Sequence, residues 1–397
     1  MVPDLRLLAM NKKRRIAVLG TMGNVPYAGM AWMHGQFLRG LANLGHDVFY
    51  VETTTAWPYH PLELTTTSDP TYALAYLGRV MDYFGLKDRW AYRPAYIDRI
   101  WRGPLASSAE ELLRSADAVL NITGSTSPDE LDVPCRLVYV GTDPVLQEIK
   151  IANGDAELCQ RVAAHQAHFT YGENIGQPDC PVPPLPFATT SMRQPVVMQL
   201  WEGTQPARQD FTTVTNWEVK GYDIEFQGEI YTWSKHHEYL KLMDLPKRTN
   251  ARLEMALGLS GVSDEVRTAL TDNGWIVTDA YHMSLEPEKY RSYILNSGCE
   301  FSVAKDMVVR LRSGWFSERS ACYLAAGRPV VTQETGFSKF LPTGEGLFAF
   351  NSADEALNAI ESIRSDYDRH SHAAHEIAAA FFRAETVLTK MLAALGL

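Results

Sequence analysis

The sequence predicts an α/β protein built from two Rossmann-like domains. Three observations carry that reading. Short apolar runs rich in β-branched residues recur along the chain and end in small or polar residues, as buried parallel strands do. Helical patterns separate them, the alternation that builds parallel sheets. The length, 397 residues, exceeds one ordinary core and suits two domains of about 200 residues each.

Ile16 to Leu19 is the first strand and stops at Gly20. A loop, Gly20 to Gly29, leads to a helix expected to bury Met30, Met33, Phe37, Leu41 and Leu44, which fall at helical spacing. Gly45 ends that helix, and Val48 to Val51 is the next strand. The opening is β-loop-α-β. Gly20 and Gly23 are present without a full G-x-G-x-x-G, so Glu52, though placed like a ribose-binding acid, does not make this a dehydrogenase. Further strands are Ala118 to Ile122, leading into Thr123-Gly124-Ser125, and Leu137 to Val140, leading into Gly141-Thr142-Asp143-Pro144. His168 to Tyr171 follows and leads into Gly172-Glu173-Asn174. Ligands of open parallel sheets sit beyond such carboxyl ends.

Prolines between Pro178 and Pro195 predict an extended passage, and the domain boundary falls near Pro206. Phe211 to Val214 opens a second series and ends at Asn216-Trp217. Tyr231 to Leu240 reads as a loop entering a helix at Ser234. Strands near Arg252 to Leu257, Trp275 to Thr278, Glu300 to Val303, Pro329 to Thr332 and Leu347 to Phe350 complete a second sheet. A helical region from about Ala353 to Leu395 closes the chain.

The stretch Arg310 to Val331 is the richest in chemistry. Ser313-Gly314 and Ser317 open a helix whose first turn holds Glu318, and Gly327 is placed to cap its end. A helix start with free N–H groups, flanked by Arg310, Arg312 and Arg319, suits a phosphate or diphosphate. An ordinary capped αβ unit explains the same residues equally well.

Motifs along this half resemble the donor-sugar segment of the GT-B glycosyltransferases. They are T-W-S-K-H-H-E at Thr232 to Glu238, F-x-V-A-K at Phe301 to Lys305, and S-G-W-F-S-E-R-S-A at Ser313 to Ala321. Y-L-A-A-G-R-P-V-V-T-Q-E-T-G-F at Tyr323 to Phe337 and L-P-T-G-E-G-L at Leu341 to Leu347 complete them. Over nearly its whole length, and most strongly in the second half, the chain resembles a bacterial group of glycosyltransferases of unspecified substrate. The resemblance implies an acceptor domain over 1–205, a nucleotide-sugar domain over 206–375, and a helix over 376–397 crossing back onto the first domain.

It further implies donor contacts at Asn216, Trp217, Lys235, Lys305, Ser313, Gly314, Trp315, Phe316, Ser317, Glu318, Arg319, Ser320, Glu334, Thr335, Gly336 and Phe337. Acceptor contacts fall at Gly23, Asn24, Gly29, Gly124, Glu173 and Asn174. Lys235 would stabilise the departing diphosphate, whose charge grows in the transition state. Asp143, then His34, are the candidate general bases, needed only if the reaction inverts the sugar. One departure stands out. Retaining relatives carry E-x7-E, and here Gly314 and Cys322 fall at those acids. Glu318, one turn from the first, either touches ribose or sugar or is only a first-turn acid.

Composition narrows the rest. A formal charge of −10 argues against nucleic-acid binding, and no run of about 18 apolar residues crosses a membrane. Met1 to Asn11 is too short for a secretion signal, and Cys135, Cys159, Cys180, Cys299 and Cys322 form no C-x-x-C. A cytoplasmic enzyme with no cofactor and no metal is therefore expected, using a UDP- or other NDP-sugar as co-substrate. The acceptor, the stereochemistry and the oligomeric state stay open. So do two other functions of this architecture, sugar-nucleotide epimerase and non-catalytic nucleotide-sugar binding.

Overall fold

The computed structural model describes residues 12–131, 133, 136–203, 205–258 and 262–397. Met1 to Asn11 and Cys135, which bear on the expected location, lie outside the described residues.

The first domain is a parallel sheet of β1 (Arg15–Leu19), β2 (Asp47–Thr54), β3 (Trp90–Pro94), β4 (Ala118–Ile122), β5 (Arg136–Gly141), β6 (Ala167–Thr170) and β7 (Thr190–Ser191). Their spatial order is β3-β2-β1-β4-β5-β6-β7. The interior strand β1 is buried on both faces, with Ile16, Ala17, Val18 and Leu19 fully covered, which is why it reads as a continuous apolar run.

The second domain repeats the plan. Its sheet strands are β8 (Phe211–Thr215), β11 (Leu253–Leu257), β12 (Ile276–Asp279), β13 (Cys299–Ser302), β14 (Val330–Gln333) and β15 (Leu347–Phe350); a hairpin, β9 (Ile224–Phe226) and β10 (Glu229–Tyr231), is inserted after β8. The order is β12-β11-β8-β13-β14-β15. In both sheets the order reverses beside the first strand, and the crevice at such a reversal is where open parallel sheets bind ligands.

Eight helices matter for the site: α1 (Ala28–Asn43), α2 (Leu146–Ala152), α3 (His236–Leu240), α4 (Pro287–Asn296), α5 (Asp306–Arg310), α6 (Glu318–Ala325), α7 (Tyr367–Phe381) and α8 (Ala384–Ala394). After α7 the chain returns to the first domain. Val196 donates its N–H to the Phe382 carbonyl at 2.7 Å, and Ala384 donates to the Val196 carbonyl at 2.8 Å. The following helix, α8, lies against α1 at Gly40, where an added Cβ would meet Leu388 at 2.6 Å and Ala384 at 2.9 Å.

That crossing corrects the expected face of α1. Met30, Met33 and Leu44 are only half-buried, whereas Trp32, His34, Gln36 and Leu38 are covered. A helix enclosed by its sheet, by α8 and by α4 has no single apolar stripe. Strand β3 escaped the sequence reading because it holds Arg93 and ends in Pro94, which an edge strand tolerates.

The two domains also meet through the hairpin. Ile224 and Tyr231 of the hairpin join Val145, Leu146 and Ile149 of the first domain and Met307 and Val308 of α5 in one apolar cluster. Asn153 beyond α2 donates its side-chain N–H to the Glu225 carbonyl at 2.8 Å.

Candidate functional site

A cavity of about 370 Å³ lies between the carboxyl ends of the two sheets. Its first-domain wall is Gly29, Trp32 and Met33 of α1, Thr142 and Asp143 after β5, Tyr171 after β6, and Gln194. The second domain contributes Asn216, Lys235, Tyr290, Lys305, Trp315, Ser317, Glu318, Arg319 and Cys322. Asn216 follows β8 and Lys305 follows β13, so they flank the strand-order reversal of the second sheet. The start of α6 brings Ser317, Glu318 and Arg319; Ser317 occupies the cap position with extended φ and ψ and leaves its hydroxyl out of any cap bond.

Three cations converge here. Arg319 is anchored below the cavity, its Nε donating to Glu300 at 2.6 Å and a terminal nitrogen to the Val214 carbonyl at 2.7 Å. Lys305 bonds Asp143 at 2.5 Å, and its ammonium lies 3.3 Å from the Trp233 ring centroid. Lys235 has no ion pair among the described residues. Burial, then Arg319 and Lys305 beside it, push the Lys235 amine well below its ordinary range. Arg319 and Lys305 each have an acid partner, and Lys235 has none among the described residues.

Glu318 is the contrasting group. Burial lifts its carboxyl to about 8, although the Gln36 amide donates to it at 3.0 Å from the first domain. That shift favours the protonated acid near neutral pH, a form that can donate as well as accept. The Tyr171 hydroxyl, also on the wall, is buried without a hydrogen-bond partner among the described residues.

Other expected site residues lie elsewhere. His34 is buried against Gly20 and Tyr50, its Nδ1 bonded to the Met30 carbonyl, and burial lowers its imidazole to about 4. It does not face the cavity. Trp217 stacks on Tyr239 in the second core, 5.9 Å between centroids. Phe316 packs between Phe337 and Phe382. Ser320 is fully buried. Glu334 caps its own turn by accepting from the Gly336 N–H, and Thr335 donates to the Trp315 carbonyl.

Ser313, Gly314 and Gly336 form a clasp with Asn174. Asn174 donates its backbone N–H to Ser313 at 3.0 Å and its side-chain amide to the Arg312 carbonyl at 2.7 Å. An added Cβ on Gly314 would meet the Asn174 nitrogen at 2.5 Å. Asn174 thus joins the domains rather than facing an acceptor, and Glu173 pairs with Arg193 at 2.9 Å. Gly124 is a turn residue at φ +63 against Tyr139. Glu52 explains the glycine loop: it accepts the Gly23 and Asn24 backbone N–H groups at 2.8 and 2.7 Å and so fixes the loop from below. Asn24 spends its side chain on Thr54 and Ala56. Of the six expected acceptor residues, Gly29 alone lines the cavity.

Trp32, Tyr171, Gln194 and Tyr290 line the cavity without being expected site residues; Met33 was expected only as a buried helix position, and Cys322 only as the residue standing where relatives carry an acid. Trp32, Met33, Tyr290 and Cys322 lie on helices, where spacing marks burial and not the cleft. Tyr171 closes a strand, and no local signal marked Gln194.

No protein-family model matches the chain, and no curated protein matches it in sequence. Its fold is shared with solved structures. HepE of Anabaena in complex with UDP-glucose is 12% identical over 96% of this chain and 99% of that one, with a TM-score of 0.58. Sucrose-phosphate synthase of Thermosynechococcus elongatus is 12% identical over 96% and 98%, with a TM-score of 0.56. AviGT4, a glycosyltransferase involved in avilamycin A biosynthesis, is 13% identical over 96% of each chain, with a TM-score of 0.51. The chain has the GT-B fold that these glycosyltransferases share.

Proposed function

We propose that the protein transfers a sugar from a nucleotide-sugar donor, bound by its diphosphate in the interdomain cavity, to a small-molecule or glycan acceptor. The convergence of Lys235, Lys305 and Arg319 in one cavity carries this reading, because an amine depressed by burial and further by two neighbouring cations is relieved by an anion of more than one charge. UDP-sugars are the first donors to try, since the structure of HepE holds UDP-glucose. The acceptor hydroxyl would enter along Gly29, Trp32 and Met33, facing Asp143 as the group able to take its proton. Glycosyl transfer needs a leaving diphosphate stabilised as it gains charge, and here side chains would supply that.

Incubation with a panel of UDP-, GDP-, ADP- and dTDP-sugars tests the reading. One donor should release its nucleoside diphosphate, slowly to water and faster when an acceptor is found. Interconversion of the sugar with the glycosyl–phosphate bond intact would instead establish an epimerase, and binding without any turnover a carrier. Among the described residues no group of three His, Cys, Asp or Glu side chains is placed to hold a metal, so turnover should persist in EDTA. Loss of turnover restored by Mg²⁺ or Mn²⁺ would overturn that part.

A further inference from the structure

The Lys305–Asp143 pair is asymmetric. Lys305 comes from the second domain, is held against Trp233 and has a side chain only 13% exposed. Asp143 comes from the first domain, lines the cavity, and has a side chain 47% exposed. The cation is fixed in place, while the acid can turn away into solvent. Burial lowers the Lys305 amine and Asp143 raises it again, so the carboxylate holds charge on a site that otherwise resists it.

We infer that Asp143 is a built-in stand-in for the donor's phosphate, displaced from Lys305 when the diphosphate arrives and thereby freed to face the acceptor. The inference rests on the nucleotide-sugar reading and adds an ordering to it. With the site empty, Asp143 neutralises Lys305 and is unavailable as a base. A diphosphate carries two or more charges and contacts Lys235 and Lys305 together, so it outcompetes one carboxylate. The acid is then released only when the donor is in place, which limits idle use of the base. No bond is made or broken in the displacement itself; one ion pair is exchanged for another.

The test is calorimetry of UDP and of inorganic pyrophosphate with wild type, Asp143→Asn and Asp143→Ala, with thermal melts to show that each variant is folded. Removing the competing carboxylate should tighten both ligands by about tenfold, equivalent to about 1.4 kcal/mol. Turnover of Asp143→Asn should fall even though its ligands bind better. Unchanged or weaker binding in both folded variants, with wild type binding normally, overturns the displacement and leaves the function standing. If neither ligand binds wild type or either variant, the diphosphate site falls and the displacement with it.

Discussion

The side-chain amide of Gln36 on α1 donates to Glu318 on α6 at 3.0 Å, joining the two domains across the back of the cavity. Its orientation is not free. The Gln36 carbonyl oxygen accepts the Val197 N–H at 3.1 Å and the Trp201 indole N–H at 3.2 Å, which leaves only the amide nitrogen to point at Glu318. Gln36→Leu keeps the volume and strands both donors in a buried place. A buried donor left without its partner costs about 1–3 kcal/mol, so with two stranded the variant should lose about 2–6 kcal/mol in urea unfolding. A loss below about 1 kcal/mol would mean that water replaces Gln36.

Glu318 itself sets a pH dependence. Its folded carboxyl lies near 8, above its unfolded value, so between about 4.5 and 8 the folded state holds a proton that the unfolded state has lost. This contribution is complete at low pH and is lost as pH rises through that window. Glu318→Gln removes the ionisation. Its stability relative to wild type should therefore increase from pH 5 to pH 8.5, by on the order of 1–3 kcal/mol. Burial holds Glu52 near 7, which gives the same sign, and His34 near 4, which gives the opposite one. Only the difference between variant and wild type isolates Glu318. A difference that stays flat with pH would show that Glu318 is ionised throughout.

Gly314 is required by a contact. Its φ of +78 favours glycine, and an added Cβ would meet backbone of the other domain. Gly314→Ala should cost well above the ~1–2 kcal/mol of left-handed strain alone and should loosen the Asn174 clasp. Gly29→Ala is the control: among the described residues nothing lies within 4 Å of its added Cβ, so the melting temperature should not fall. Equal melting temperatures for wild type and Gly314→Ala would mean that the clasp does not hold the domains together.

These glycines show where sequence reasoning reached and where it stopped. Strands such as Ile16 to Leu19 and Ala118 to Ile122 were legible because full burial leaves no alternation to obscure them. Lys235, Lys305, Ser317, Glu318 and Arg319 were legible as polar groups beside strand ends or a helix start, and the cavity brings them together. The motif Ser313 to Ser320 looked like one phosphate loop but divides in space. Trp315, Ser317, Glu318 and Arg319 face the cavity, while Ser313, Gly314, Phe316 and Ser320 turn to the junction or the core. A glycine needed for a cross-domain approach and one needed for a ligand look alike in sequence. Only the docking of the domains separates them, and Asn174 is far from Gly314 along the chain.

Lys235 is placed for function at the expense of stability. Burial is the first cost to the charge of its amine, Arg319 and Lys305 beside it add to that cost, and it has no ion pair among the described residues. Lys235→Met, which keeps the length and drops the charge, should leave the empty protein as stable as wild type or more so. Catalysis should respond in the opposite direction. In the bound donor the diphosphate is already anionic, but it gains charge as the sugar–oxygen bond breaks. A positioned ammonium therefore interacts more strongly with the transition state, and only that difference raises turnover. Removing one such preorganised contact costs about 3–4 kcal/mol, or roughly 10²–10³ in rate. Lys235→Ala should show that loss at saturating donor, with a smaller change in the donor's dissociation constant. Lys235→Arg should rescue poorly, since a planar fork does not replace a compact ammonium between two other cations. Turnover unchanged with affinity reduced would make Lys235 a uniform binding contact and remove it from the chemical step.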